Sequence, residues 1–165
     1  VVNFAESHLD MVRPGIALFG AYPTNDDAER RIAPLTPAFR LCARVVRVER
    51  LRPGDSVSYG RNYIAGEPVW TATIPTGHTD GYPRTAVDGA RVLINGRVYP
   101  VIGAVSASHT IIEVGTEKTV EIGDVATLVG AGHEAIHPNT VAAATGTSVY
   151  DRLMHLNPVL PKFVA

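Results

Sequence analysis

Apolar and polar residues alternate along most of the chain between residues 46 and 129. Val46 and Val48 alternate with Arg47 and Glu49, the period-2 signature of a half-buried strand. Arg52-Pro53-Gly54-Asp55 reads as a turn. Trp70, Ala72 and Ile74 alternate with Thr71 and Thr73, and Pro75 closes that strand. Arg91-Val92-Leu93-Ile94 begins another after Gly89. Asn95-Gly96 then predicts a tight hairpin, because both central residues of a type I′ turn need positive φ. The chain returns along Arg97 to Val105, and Thr110 to Val114 and Asp124 to Val129 supply two further strands. Short strands at this spacing predict a mainly β domain, a compact barrel or sandwich.

The flanks read differently. Ile16-Ala17-Leu18-Phe19, entered through Arg13-Pro14-Gly15, is a short apolar run suited to a strand buried on both faces. Residues 21–37, rich in Pro, Asp and Arg, read as a connector. Helix is predicted only late. Asn139 or Thr140 can cap a short helix ended by Gly146, and Thr147 can cap a second one carrying Val149, Leu153 and Leu156 on one face. Asn157-Pro158 stops it, and Pro161 to Val164 reads as an edge strand.

Candidate chemistry centres on Val57-Ser58-Tyr59-Gly60-Arg61-Asn62-Tyr63. A tyrosine between serine and glycine at a strand end sits on a turn, with its ring projecting outward. Such a phenol can serve as acid or base where its surroundings lower its pKa from about 10. Alternatively, Tyr59 and Tyr63 are ordinary strand aromatics. His133-Glu134-Ala135-Ile136-His137 matches the spacing of a zinc hydrolase helix. Gly130, Gly132 and Pro138 around it leave no room for a helix of several turns, so it reads as a surface loop with no metal.

Composition narrows the partners. A chain of 165 residues with 45% hydrophobic content makes one domain, or one domain with a fragment of another. Lys+Arg of 15 against Asp+Glu of 16 gives a net charge of -1 and no basic surplus for nucleic acid. No apolar run is long enough for a membrane-spanning helix. The single cysteine, Cys42, fits a reducing compartment, hence a cytoplasmic expectation, and its neighbours Leu41 and Ala43 suggest burial.

Several stretches, in order along nearly the whole chain, resemble the pyridoxal-phosphate-dependent alanine racemases. Val12 to Gly20 is similar to the last strand of that family's N-terminal (β/α)8 barrel. Ser58-Tyr59-Gly60 resembles its tyrosine motif. Thr76-Gly77-His78-Thr79-Asp80-Gly81-Tyr82-Pro83-Arg84 resembles its Gly-Tyr-Ala-Asp-Gly-Tyr-Pro-Arg signature. Val101 to His109 fits the segment after the signature, and Val149-Tyr150-Asp151 the late helix with a phosphate-binding tyrosine.

The resemblance implies that residues 1–35 are the end of a barrel plus connector, and that residues 36–165 are the family's C-terminal β domain with short helices near its end. It implies Tyr59 as one of two opposed bases, reaching into the other subunit of a homodimer. Arg13 would face the pyridine nitrogen of pyridoxal phosphate; Gly15 and Ile16 would offer backbone N–H groups, and Tyr150 its hydroxyl, to the phosphate. His78 and Ala107 would lie near a small amino-acid substrate, and Arg84 on its access route. The family's second base is a lysine of the barrel, and Lys118 and Lys162, the two lysines here, match no such motif. The chain is therefore expected to be inactive without that barrel.

Departures also appear. His78 stands where the signature has tyrosine, Ala107 and Ser108 where Met-Asp is usual, and Ala104 where an arginine is usual. They imply a wider pocket, or else a non-catalytic interaction or regulatory domain that keeps the fold.

Overall fold

The computed structural model describes residues 4–30 and 33–164. The expected segments 1–35 and 36–165 include residues 1–3, 31, 32 and 165, which lie outside the described residues. Nine strands among the described residues carry the fold: β1 Leu41–Arg44, β2 Arg47–Leu51, β3 Ser56–Val57, β4 Tyr63–Ile64, β5 Val69–Ile74, β6 Arg91–Ile94, β7 Arg97–Ile102, β8 Thr110–Gly115 and β9 Val125–Val129. Seven form one antiparallel sheet in the order β1-β9-β6-β7-β8-β5-β2, while β3 and β4 pair as a separate ribbon.

The two end strands of the sheet are consecutive in the chain, with Val45 and Val46 between them. Val45 N–H donates to the Asp124 carbonyl beside β9, and Val46 N–H to the Thr73 carbonyl of β5, both at 2.9 Å. Three residue steps, from Arg44 to Arg47, span about 11 Å at most. The sheet must therefore curl until its ends meet, which leaves little open edge. Inside the curl, Ile74, Val92, Ile94, Ile112, Val120, Ala126 and Leu128 have no solvent exposure. The β6–β7 hairpin turns through Asn95 (φ 50°) and Gly96 (φ 78°), as the sequence requires.

Among the described residues, three short α-helices pack outside the sheet: α1 Asn25–Arg30, α2 Pro138–Ala144 and α3 Val149–Met154. Pro138 occupies the first turn of α2, where a missing N–H costs nothing. Ser148 caps α3: its Oγ accepts from Asp151 N–H at 3.2 Å, and the Asp151 carboxylate accepts from Ser148 N–H and Oγ. Those hydrogen bonds hold the Asp151 carboxyl below its ordinary range.

Several expectations need correction. Gly15–Phe19 is a 3₁₀ turn, not a strand; Gly15 (φ 60°) and Gly20 (φ 71°) bracket it with left-handed backbone that a strand does not use. Leu18 and Phe19 are exposed, and only Ile16 of the run is buried. The connector contains α1. The His133–His137 stretch is a 3₁₀ turn at Glu134–Ile136, with Ile136 fully buried rather than a surface loop. Helix α2 starts at Pro138 with His137 as its cap, and α3 is capped by Ser148, one residue later than Thr147. Cys42 is exposed because it sits on the outward face of β1, beside Thr127. Pro161 to Val164 forms no strand.

Tyr82 is fully buried, and its hydroxyl has no hydrogen-bond partner among the described residues. Burial pushes its phenol well above the ordinary range, opposed only partly by the charge of Arg152. A raised phenol pKa in the fold means full stability below the unfolded value of about 10, and stability lost as pH rises above it. Tyr82→Phe removes an unsatisfied polar group, a penalty of about 1–3 kcal/mol. The expected result is a higher urea midpoint at pH 8 and a smaller alkaline loss than in the parent. A lower midpoint at pH 8 would mean that the hydroxyl has a stabilising partner.

Candidate active site

Tyr59 lies on a turn between β3 and β4. Ser58 (φ 72°, ψ 172°), Gly60 (φ 67°) and Arg61 (φ 53°) all take positive φ and throw the ring outward, leaving Tyr59 71% exposed. Ser58 occupies a region that belongs almost entirely to glycine, at a cost on the order of 1–3 kcal/mol. Two hydrogen bonds offset it: Ser58 Oγ accepts from Ala104 N–H at 2.7 Å and donates to the Ala104 carbonyl at 3.0 Å. Gly103 makes the approach possible, since a Cβ there would lie 2.6 Å from Ser58 Cβ. The strained tyrosine turn is thus pinned to the loop after β7.

That loop and the turn enclose an open cleft of about 330 Å³, lined by Ser58, Tyr59, Ala104, Ser106, His109 and Ile111. No carboxylate lines it. Besides Tyr59, its one ionisable lining residue is His109, whose Nδ1 shares a hydrogen bond with Ser108 Oγ at 2.9 Å. Ser106 Oγ closes the loop by accepting from His109 N–H at 2.9 Å.

His78 and Ala107 are brought together by backbone. His78 N–H donates to the Ser106 carbonyl, and Thr79 N–H to the Ala107 carbonyl, each at 3.0 Å; Thr79 Oγ1 reaches the same Ala107 oxygen at 2.6 Å. Gly77 lets the strands of chain touch. Asn157, beyond α3, holds the other side through the carbonyls of Thr79 and Asp80. Arg84 starts the 3₁₀ turn Arg84–Asp88 and is exposed, outside the lining of the Tyr59 cleft.

Arg13, Gly15, Ile16 and Tyr150 form the other group. Ile16 packs with Ala21, Ala142 and Val149 in one small buried cluster, so the 3₁₀ turn at Gly15 meets the start of α3. Tyr150 follows Val149 and stays half exposed, and Arg13 is exposed. None of these four lines the Tyr59 cleft. His133 and His137 spend their Nδ1 atoms accepting from Ala135 and Asn139 N–H. Among the described residues no group of three or more His, Cys, Asp or Glu is placed to hold a metal.

Three contributors escaped the sequence reading. Asn139, read as a cap, is buried and pairs its side-chain amide with both N–H and carbonyl of Tyr22, each at 2.9 Å. Gly103 and Glu113 act on residues over forty positions away, and nothing local in the sequence announces either.

A family profile described as "Alanine racemase, C-terminal domain" matches residues 38–164. The chain belongs to the alanine racemase family. An alanine racemase of Carboxydothermus hydrogenoformans is 36% identical over 163 residues, covering 98% of this chain and 44% of that relative. The crystal structure of the biosynthetic alanine racemase of Pseudomonas aeruginosa superposes with a TM-score of 0.83 at 34% identity, over 94% of this chain and 42% of that one. The alanine racemase of the D-cycloserine producer Streptomyces lavendulae gives a TM-score of 0.87 at 28% identity, over 97% and 42%. The chain thus spans less than half the length of the alanine racemases it matches. No helix among the described residues is long and apolar enough to cross a membrane.

Proposed function

We propose that this chain is the tyrosine-bearing part of a pyridoxal-phosphate-dependent racemase of a small amino acid. The observation that carries the reading is the Tyr59 turn: an exposed phenol, held on strained backbone by two hydrogen bonds, beside an open cleft. Strain of that kind persists only where the surroundings enforce it, and it clusters at functional sites. Family membership supports the same role for the tyrosine.

The Arg13 group fits the cofactor's chemistry. The first N–H groups of a helical turn have no partner within it. Ile16 and Val149, the neighbour of Tyr150, share one buried cluster, and a Cβ built on Gly15 meets nothing within 4 Å, which supports a common phosphate site. Gly15 and Ile16 N–H and the Tyr150 hydroxyl would hold the phosphate, and Arg13 would face the ring nitrogen and disfavour its protonation by like charge. When bound, pyridoxal phosphate supplies the electron sink for a deprotonated α-carbon. Tyr59 carries a proton to or from one face of that carbon, and a base of the preceding barrel serves the other. The separation of the Arg13 group from the Tyr59 cleft supports a homodimer in which one copy's Tyr59 serves its partner's cofactor.

The test is interconversion of L- and D-amino acids in heavy water by the complete polypeptide carrying this chain. The expected result is turnover that needs pyridoxal phosphate and vanishes for the 165-residue chain alone. Robust turnover by the isolated chain, or none by the complete one, refutes the reading. With Ala107 and His78 at the substrate, serine and bulkier amino acids should be turned over alongside alanine; strict preference for alanine counts against a widened pocket.

A further inference from the structure

Strand β8 has two faces. Thr110 and Ile112 point into the core without exposure, while Ile111 and Glu113 alternate onto the outer face. The β3–β4 ribbon lies over that face. Ile111 lines the Tyr59 cleft. Two residues on, the Glu113 carboxylate accepts a hydrogen bond from the Tyr63 hydroxyl at 2.7 Å.

Tyr63 opens β4 and stands four residues after Tyr59, across the same turn. The ribbon has no ladder to the seven-stranded sheet. It leans on a small cluster of Leu51, Ala65 and Val69, with Val57 and Tyr63 packed against it. Two polar tethers therefore fix the turn against the sheet. Ser58 to Ala104 holds the leading side, and Tyr63 to Glu113 the trailing side. The second is charge-assisted, so it is the stronger kind of hydrogen bond. Burial first, and then the Glu113 bond and charge, push the Tyr63 phenol well above its ordinary range, so it stays a donor.

We propose that Glu113 is a positioning residue which, acting through Tyr63, sets where the Tyr59 phenol stands in its cleft. The inference rests on the reading of Tyr59 as a proton carrier, and its test separates the two. The complete protein is prepared with tyrosine labelled by ¹³C at Cζ, and the Tyr59 resonance is assigned by its loss in Tyr59→Phe. Tyr63→Phe and Glu113→Ala should displace that resonance alike, and the double variant no further. Glu113→Gln keeps an acceptor oxygen and should restore the parent position. In heavy water, Glu113→Ala should slow α-proton exchange from the enantiomer whose proton Tyr59 removes roughly 10- to 100-fold, while exchange from the other enantiomer persists through the opposed base and racemisation falls equally in both directions. A merely structural defect would slow exchange from both enantiomers together. A Tyr59 resonance unmoved by Tyr63→Phe and Glu113→Ala overturns the inference, as does a Glu113→Gln protein that matches Glu113→Ala. The resonance pattern holding in a protein that racemises nothing supports the positioning and sinks the functional reading instead.

Discussion

Tyr59→Phe in the complete protein is expected to cut racemisation by at least about 100-fold, the low end of what a positioned acid–base group contributes. The change removes one oxygen and keeps the ring. Within a single copy Tyr59 is 71% exposed, so losing its hydroxyl should alter the stability of this domain by no more than about 0.5 kcal/mol. The turn itself is held by Ser58 and Ala104, not by the phenol. Activity and stability therefore separate cleanly in this variant. The loss should also be one-sided: exchange of the α-proton with solvent from one enantiomer should persist through the opposed base, while exchange from the other collapses. Chiral product analysis in heavy water, with a thermal unfolding curve beside it, reads both. Unchanged turnover in both directions would remove Tyr59 from the chemistry and leave only the fold in common with alanine racemases.

What the sequence discloses about this molecule divides along the range of the forces involved. The β6–β7 hairpin was legible because Asn95 and Gly96 must take positive φ wherever they sit between alternating strands. The strands β5 and β6 were legible as apolar-rich local runs; β6 buries Val92 and Ile94 on one face, whereas β5 buries Thr71 along with Ala72 and Ile74, which its alternation did not foretell. Closure of the sheet was not, since it depends on Val45 and Val46 bonding to opposite ends of the strand order. Ile16 to Phe19 misled because an apolar run is compatible with either a buried strand or a turn that buries one residue; of the buried residues clustered with Ile16, Ala142 and Val149 come from helices over a hundred residues later. The Tyr59 motif was visible as a turn, whereas the tethers that fix it, Ala104 and Glu113, lie about fifty residues downstream and carry no pattern of their own.

Gly77→Ala tests how His78 and Ala107, the residues proposed to face the substrate, are held. Gly77 has φ -142° and ψ -161°, extended backbone that alanine adopts without strain. Any cost must then be steric. A Cβ there would overlap the carbonyl oxygens of Ser106 and Ala107 and lie 2.5 Å from the Ala107 carbonyl carbon. Those are backbone atoms that cannot swing aside as a side-chain end can. The segments would have to part, and the bonds from His78 and Thr79 to Ser106 and Ala107 would stretch or break. Overpacking of this kind costs about 1–3 kcal/mol, and each lost hydrogen bond about 0.5–1.5 kcal/mol, so a total near 3–5 kcal/mol is expected. For a chain of this size that corresponds to a fall in Tm of roughly 6–20 °C. Gly54→Ala is the control: its Cβ meets nothing within 4 Å, and only its φ of 88° opposes the change, at about 1–2 kcal/mol. Function should follow the geometry. On the proposed reading of His78 and Ala107 as substrate-facing residues, parting them while the Ser58 tether stays intact should raise KM more than it lowers kcat. A Gly77→Ala protein with the parent's Tm would show that the loops separate freely, and the contact between signature and cleft would then be incidental.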